Sequence, residues 1–350
     1  MKNIYGLKRS DLEEYFLSIG EKKFKALQVY EWLYLKRVDS IDKMTNIKKE
    51  IQDKLKNDFS MEMITVAQVQ HDTDAHKYLF LLKDHNYIEA VLMEHDYGLS
   101  VCVSSEVGCN MGCKFCESGR RKKVRNLEAY EMVEQILLIE KDIGRRISSV
   151  VVMGIGEPFD NYVNLMDFIR IINDPKGISI GARHITVSTC GLVPKIYEFS
   201  KEDLQVNLAL SLHAPNDEIR NQIMPINKAY NISELIKAIK DYIKETNRRV
   251  TIEYVMLEGV NDSKKCAVEL SKLLKGLNVY VNMIPYNETN HLEFSQSNKK
   301  KIDEFYDTLV KNKINVTVRR RFGSNIDAAC GQLRSKEEEK NENILFNWCR

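Results

Sequence analysis

Three cysteines, Cys109, Cys113 and Cys116, share one short segment at the spacing C, three residues, C, two residues, C. A thiolate is a strong ligand for zinc and for cluster iron, so three on one loop can hold a soft metal. Three is one short of a closed zinc site. Neither Cys102 nor His95 stands at the close spacing that would complete one. An iron-sulfur cluster with three protein ligands instead leaves one iron open to substrate or cofactor. The plainer readings are a structural zinc or three unligated thiols. Of the other cysteines, Cys102 lies just before the loop, and Cys190, Cys266, Cys330 and Cys349 are scattered. That is too uneven for a disulfide scaffold, and in a reducing cytosol clustered thiols bind metal or do chemistry.

Stepping outward from the loop, β-branched or apolar runs at Leu99 to Val103, Val150 to Met153, Ile185 to Ser188, Val206 to Leu212, Val250 to Leu257 and Val279 to Ile284 alternate with helical segments. Asn231 with Glu234 three residues on predicts a helix start. A helix at about Lys299 to Lys311 precedes a last strand, Ile314 to Val318. Repeated alternation predicts parallel βα units, six of which curl into a partial barrel of the α/β class. Residues 1–94 read as an accessory domain of helices joined to a short antiparallel sheet, 95–333 as the core, and 334–350 as a charged, solvated tail.

Such a barrel carries its chemistry in loops after the strands, and the unusual residues fall there. The three cysteines follow the first strand, Gly154-Ile155-Gly156-Glu157-Pro158 the second, Thr189-Cys190-Gly191 the third, His213 the fourth and Asn287 the sixth. Position 159 is Phe, so the glycines do not make a dinucleotide fingerprint. Strand alternation sets Leu99, Val101 and Val103 on one face and Ser100, Cys102 and Ser104 on the other. Cys330 falls after the last strand, beside Gly331. By composition alone Cys102 and Cys330 read as small packing residues, Glu89 as a polar face turned to solvent, and His213 as a satisfied strand-end histidine.

Lys and Arg number 52 against 50 Asp and Glu, a net charge of +2 that excludes a uniformly basic coat. Basic runs at Arg120-Arg121-Lys122-Lys123 with Arg125, and at Arg319-Arg320-Arg321, flank the candidate loops and are expected to meet phosphates there. No stretch approaches the length of a membrane span and the first ten residues lack a signal-peptide core, so a cytoplasmic monomer is expected.

The cysteine loop resembles the cluster motif of radical S-adenosylmethionine enzymes. Beyond that, Cys102-Val-Ser-Ser-Glu-Val-Gly-Cys109, Val152-Met-Gly-Ile-Gly-Glu157-Pro158, Ser211 to Arg220, Met224-Pro-Ile-Asn227 and Asp327-Ala-Ala-Cys330-Gly-Gln-Leu333 are similar to the RlmN/Cfr family of RNA adenine methyltransferases. The resemblance implies one 4Fe-4S cluster on Cys109, Cys113 and Cys116, and S-adenosylmethionine held by Gly156, Glu157, Ser188, Ser211, Leu212, His213 and Asn287. It implies that Cys330 is methylated first and that a cofactor-derived radical then takes a hydrogen from that methyl group. The resulting carbon radical adds to the adenine, and Cys102 resolves the adduct by forming a disulfide with Cys330. Glu89 matches the proton acceptor. The implied substrates are 23S rRNA and tRNA, modified at carbon 2 of adenine, with the carbon-8 resistance enzyme as the alternative. Flavodoxin or ferredoxin is the implied electron donor. Glu117 stands where the family has a small residue, and Glu288 where it commonly has Pro. A rival of another class is a zinc-stabilised RNA-binding protein without catalysis.

Overall fold

A computed structural model describes residues 1–289, 291–320, 322–323, 326 and 331–337. Cys330 and the end of the tail, 338–350, lie outside the described residues.

Among the described residues, ten strands make one sheet whose spatial order follows chain order. They are β1 (Thr65–His71), β2 (Ala75–Leu81), β3 (Tyr87–His95), β4 (Gly98–Cys102), β5 (Ser149–Val152), β6 (Ile185–Thr189), β7 (Asn207–Ser211), β8 (Val250–Met256), β9 (Val279–Pro285) and β10 (Val316–Val318). The first four pair antiparallel. From β4 to β10 every pairing is parallel. The edge strands β1 and β10 do not pair with each other among the described residues, so the barrel is partial, as expected.

Among the described residues the sheet is flanked by α1 (Arg9–Ser18), α2 (Phe24–Tyr34), α3 (Lys49–Asp58), α4 (Ala129–Ile143), α5 (Tyr162–Asn173), α6 (Val193–Phe199), α7 (Asp217–Ile223), α8 (Ile232–Thr246), α9 (Lys264–Leu274) and α10 (Lys299–Lys311), and a further helix runs over 332–337. The sequence signals for two of them are realised. Asn231 Oδ1 accepts the Glu234 N–H at 3.0 Å and Glu234 accepts the Asn231 N–H at 3.2 Å, a reciprocal cap for α8 worth about 1 kcal/mol. α10 spans the expected residues.

The sheet has two chemically distinct faces. Ile88, Ala90, Leu92, Leu99, Val101, Val187, Leu208, Ile252 and Val281 pack outward into one core shared with the helices. Glu89, Val91, Met93 and Cys102 point the other way, into the lumen, as do Ser188, Ser211, Glu253 and Ile284.

Two expected boundaries are not breaks in this fold. Residue 94 falls inside β3, and the antiparallel strands continue the barrel sheet. The N-terminal helices also share its core: Tyr30 Oη donates to Ile171 O of α5 at 3.2 Å, and buried Glu134 of α4 accepts the Ile64 N–H at 2.8 Å. The expected tail begins inside a helix over 332–337, where Arg334 and Ser335 are buried rather than solvated.

Candidate active site

The cysteine loop is anchored through its backbone. The Cys109 N–H donates to Arg121 O, the Cys116 N–H to Cys113 O, each at 3.1 Å, and the Lys114 N–H to Ile223 O of α7 at 2.9 Å. All three cysteines line a cavity of about 290 Å³ at the carboxyl ends of the parallel strands, together with Gly156, Glu157, Ser188, Ser211, His213 and Asn287. Residues up to 178 positions apart in sequence therefore meet in one place. Leu212 is the exception among the expected cofactor contacts. Its side chain is fully buried in the outer core, because strand alternation turns it away from Ser211.

Gly156 has φ +112°, and a Cβ there would lie 2.6 Å from both Cβ and Cγ of Glu106. Only glycine fits. Glu106 Oε2 accepts the Glu157 N–H at 2.9 Å, while its other oxygen pairs with Lys123 Nζ at 2.6 Å. Burial pushes the Glu106 carboxyl up to about 7. The Glu157 carboxylate accepts the Phe159 N–H at 3.1 Å and the Cys190 N–H at 2.7 Å, which ties the loop after β5 to the end of β6.

His213 has φ +57°, rare for a residue with a side chain. Its Nδ1 accepts the Val255 N–H at 3.1 Å, which places the proton on Nε2. Its ring meets Phe115 of the cluster loop edge-on, centroids 4.9 Å apart. Burial, helped by the Arg220 charge, pushes His213 down to about 3, so it stays neutral.

Arg220, at the end of the motif that begins at Ser211, is a residue of the site that sequence reasoning misses. It is fully buried and donates to Leu212 O at 3.1 Å, Cys190 O at 2.7 Å and Asn227 Oδ1 at 2.9 Å. It thus gathers the carbonyls at the ends of β6 and β7 beneath the cysteine loop. In the sequence Arg220 ends one of the family-like motifs and Asn227 ends the next, seven residues on.

The two departures from the family pattern serve a single loop. Glu117 is buried; it accepts from Arg120 at 2.5 Å, from Thr289 Oγ1 at 3.1 Å, and pairs with His291 Nδ1 at 2.9 Å. Burial pushes Glu117 up, but these partners outweigh it and hold the carboxyl below its ordinary value. Glu288 Oε1 accepts the Gln296 N–H at 3.0 Å. Glu117 thus fastens the Asn287 loop to the cysteine loop, and Glu288 closes the Asn287 loop on itself.

Several members of the basic runs have acidic partners within the fold. Lys123 is spent on Glu106 and Asp160, and Arg125 on Asp84 and Glu131. Arg319 lines the cavity, with Nη2 3.7 Å from Met93 Sδ, and Arg320 pairs with Asp74. Arg319 and Arg320, with Phe322 against His95 and the Gly323 N–H on Asp74, bridge the open side of the barrel from β10 to the antiparallel strands.

Glu89 and Cys102 lie on the same inner face, toward the antiparallel end. Cys102 is buried among Ala75, Val91 and Met93, and Met153 touches both this group and the cofactor cavity. Glu89 is 3% exposed, not solvent-facing. It pairs with Lys77 at 2.9 Å and accepts the N–H groups of Gly331 at 2.6 Å and Arg334 at 2.5 Å. The first inner-face carboxylate on the antiparallel strands thus receives the chain directly after Cys330.

The donor set fits a cluster better than a single ion. Among the described residues no three His, Cys, Asp or Glu side chains form a single-ion site. Burial, reinforced by the neighbouring sulfurs, pushes the Cys109 thiol up to about 12 and raises Cys113 as well. Thiols raised in this way ionise beside one another only around a strongly cationic group, which a cluster supplies.

Two family models match the chain: the ribosomal RNA large subunit methyltransferase N-terminal domain over residues 2–61 and the radical SAM superfamily over 103–269. A Listeria monocytogenes protein named "Probable dual-specificity RNA methyltransferase RlmN" is 54% identical over 344 residues, covering 96% of this chain and 94% of the relative. One of the same name from Enterococcus faecalis is 54% identical over 348 residues, covering 97% and 98%. The crystal structure of a radical SAM methyltransferase from Sphaerobacter thermophilus superposes with a TM-score of 0.90 at 41% identity, covering 95% of this chain and 99% of that one. Cysteine loop, glycine-shaped cavity and full-length similarity agree: the chain belongs to the RlmN family of radical SAM RNA methyltransferases.

Proposed function

We propose that this chain methylates carbon 2 of an adenine in 23S rRNA and in tRNA, with Cys330 as methyl carrier, Cys102 as resolving thiol and Glu89 as proton acceptor. The N-terminal helices α1 to α3 add an RNA-binding surface to the catalytic core, and flavodoxin or ferredoxin delivers the electron to a cytoplasmic monomer. Among the described residues no helix is long and apolar enough to cross a membrane.

One observation carries the reading. Gly331 follows Cys330 in the chain, and its N–H is held by Glu89; a Cβ on it would lie 3.0 Å from the backbone nitrogen of Ser118, two residues beyond Cys116. The turn that leaves the proposed carrier therefore touches both the cluster loop and the face bearing Glu89 and Cys102.

When bound on Cys109, Cys113 and Cys116 and in the adjoining cavity, the cluster and S-adenosylmethionine supply the radical that activates the carrier methyl group. The chain's own residues do the rest. Gly156 lets backbone approach the cofactor closely, and the remaining acceptor capacity of Glu157 suits its ammonium. Ser188 and Ser211, whose hydroxyl oxygens are 3.3 Å apart, and neutral His213 offer hydrogen bonds without adding charge. The target base leaves its stack to enter. Glu89 takes the proton lost from the modified ring carbon. The Cys102 thiolate then attacks the Cys330 sulfur: the bond from that sulfur to the bridging methylene breaks, its electron pair stays on that carbon, which takes up a proton to complete the methyl group on the base, and a cellular dithiol reduces the disulfide before the next cycle.

The test is mass spectrometry of adenosines from rRNA and tRNA incubated with the cluster-loaded protein, S-adenosylmethionine and reductant. 2-Methyladenosine in both is expected; 8-methyladenosine, or no product, overturns the assignment. In parallel Cys102→Ala is expected to retain RNA covalently on a denaturing gel.

A further inference from the structure

Lys77 has no place in the chemistry described so far. It lies on the inner face of β2, is fully buried, and puts Nζ 2.9 Å from Glu89 Oε2. Its register is informative: Lys77 pairs across the sheet with Val91, and Val91 with Cys102, so ammonium and thiol share one cross-strand row. A buried ion pair seldom adds net stability over apolar residues of the same volume, because both charges lose their water. A neighbouring inner-face position of the same strand is the apolar Ala75.

The surroundings of Glu89 suggest what the pair does. Oε2 accepts from Lys77 Nζ and from the Gly331 N–H, and Oε1 accepts from the Arg334 N–H. A carboxylate has about four acceptor directions. These donors take three of them and leave one, on Oε1, for an incoming proton. Two of the three belong to the chain after Cys330, so among the described residues only Lys77 anchors the carboxylate to the sheet.

We propose that Lys77 is the positioning residue of the proton-transfer step: by fixing Oε2 of Glu89 to β2, it keeps the remaining lone pair of Oε1 in place for the RNA adduct. This rests on the proposed role of Glu89. In that step a ring C–H bond of the adduct breaks, its electron pair stays on the ring and the proton joins Glu89; Lys77 remains an ammonium throughout. Methylation of Cys330 and radical addition precede the step and do not use Lys77.

The experiment compares Lys77→Met and Lys77→Arg with the parent, Cys102→Ala and Glu89→Gln in the full-length, cluster-loaded protein. It reads three quantities: methyl groups on Cys330 by intact-protein mass, covalent protein–RNA adduct on a denaturing gel, and methyladenosine. Lys77→Met is expected to keep Cys330 methylation within about twofold, to lose methyladenosine formation by about 10²-fold, the scale of a misplaced general base, and to accumulate adduct as Glu89→Gln does. Lys77→Arg is expected to recover part of the product. The double variant Lys77→Met/Glu89→Gln is expected to be no worse than either single one, as for residues acting as a unit. Parental product formation by Lys77→Met overturns the proposal. So does parallel loss of Cys330 methylation and product in both Lys77 variants, because a positioning role in a late step spares the early one. Absence of adduct in Cys102→Ala would instead overturn the proposed carrier chemistry itself.

Discussion

The two ends of the lumen are built on opposite plans. At the parallel end, functional groups sit on loops after the strands: the cysteine loop, Gly156, neutral His213 and Asn287 frame a cavity whose loops are tied by side chains bonding to backbone, Glu106, Glu157, His213 and Arg220 among them. At the antiparallel end they sit within strands, and charge is kept inside: Lys77, Glu89 and Cys102 lie on β2, β3 and β4, and the ammonium–carboxylate pair is almost sealed from water. Parallel strands need long crossovers, which leave loops at one rim to vary. Antiparallel hairpins bring neighbouring inner-face side chains into direct register. The first plan suits a removable cofactor, and the second suits groups that must keep fixed places relative to each other.

The largest expected effect separates the two ends. Cys113→Ala should abolish methylation and sharply lower iron content, whereas Cys102→Ala should abolish product while leaving iron content at the parental level; metal analysis beside product assay checks both. Equal iron loss in the two variants would erase the distinction. Next, Arg220→Met should destabilise the fold by about 3–5 kcal/mol in a denaturant titration, because buried carbonyls and Asn227 lose a charged donor. A smaller change would mean that the parallel rim does not depend on this clamp. Gly156→Ala should weaken S-adenosylmethionine binding about 10- to 100-fold by calorimetry, from about 1–3 kcal/mol of backbone strain and the clash with Glu106. Glu117→Ala should weaken it by only about fivefold, by loosening the Asn287 loop without unmaking the cavity.

The smallest expected effect concerns pH. Burial pushes Glu253 up to about 7, against the pull of Arg319 and the Asn282 hydrogen bond. Between its ordinary value of 4.5 and about 7 the folded protein holds a proton that the unfolded chain has released. Stability from this group is therefore present below 4.5 and falls as pH rises through that window. Glu253→Gln should remove that fall, so the variant's thermal midpoint should gain on the parent's as pH goes from 4.5 to 7. Parallel curves would show that Glu253 is not desolvated.

Much of this was written in residue type and spacing. The cysteine spacing, the glycine before Glu157, the strand–helix alternation and the Asn231 cap are local properties, and local geometry obeys them: the parallel strands and α10 lie where periodicity placed them, and the expected cofactor positions other than Leu212 share one cavity. Leu212 departs because neighbouring residues of a strand face opposite ways. What tertiary structure alone decided is which charges find partners. Within the basic runs, Lys123, Arg125 and Arg320 are paired with acids brought near by folding, and Arg319 turns inward. Glu89 looked solvent-facing and is sealed against Lys77, twelve residues earlier in the chain, and against backbone more than two hundred residues later. Hydrophobic period and ligand spacing act over a few residues, so sequence displays them. A buried charge is tolerable only beside a partner, and that partner is chosen by strand register and chain return, which no short stretch of sequence contains.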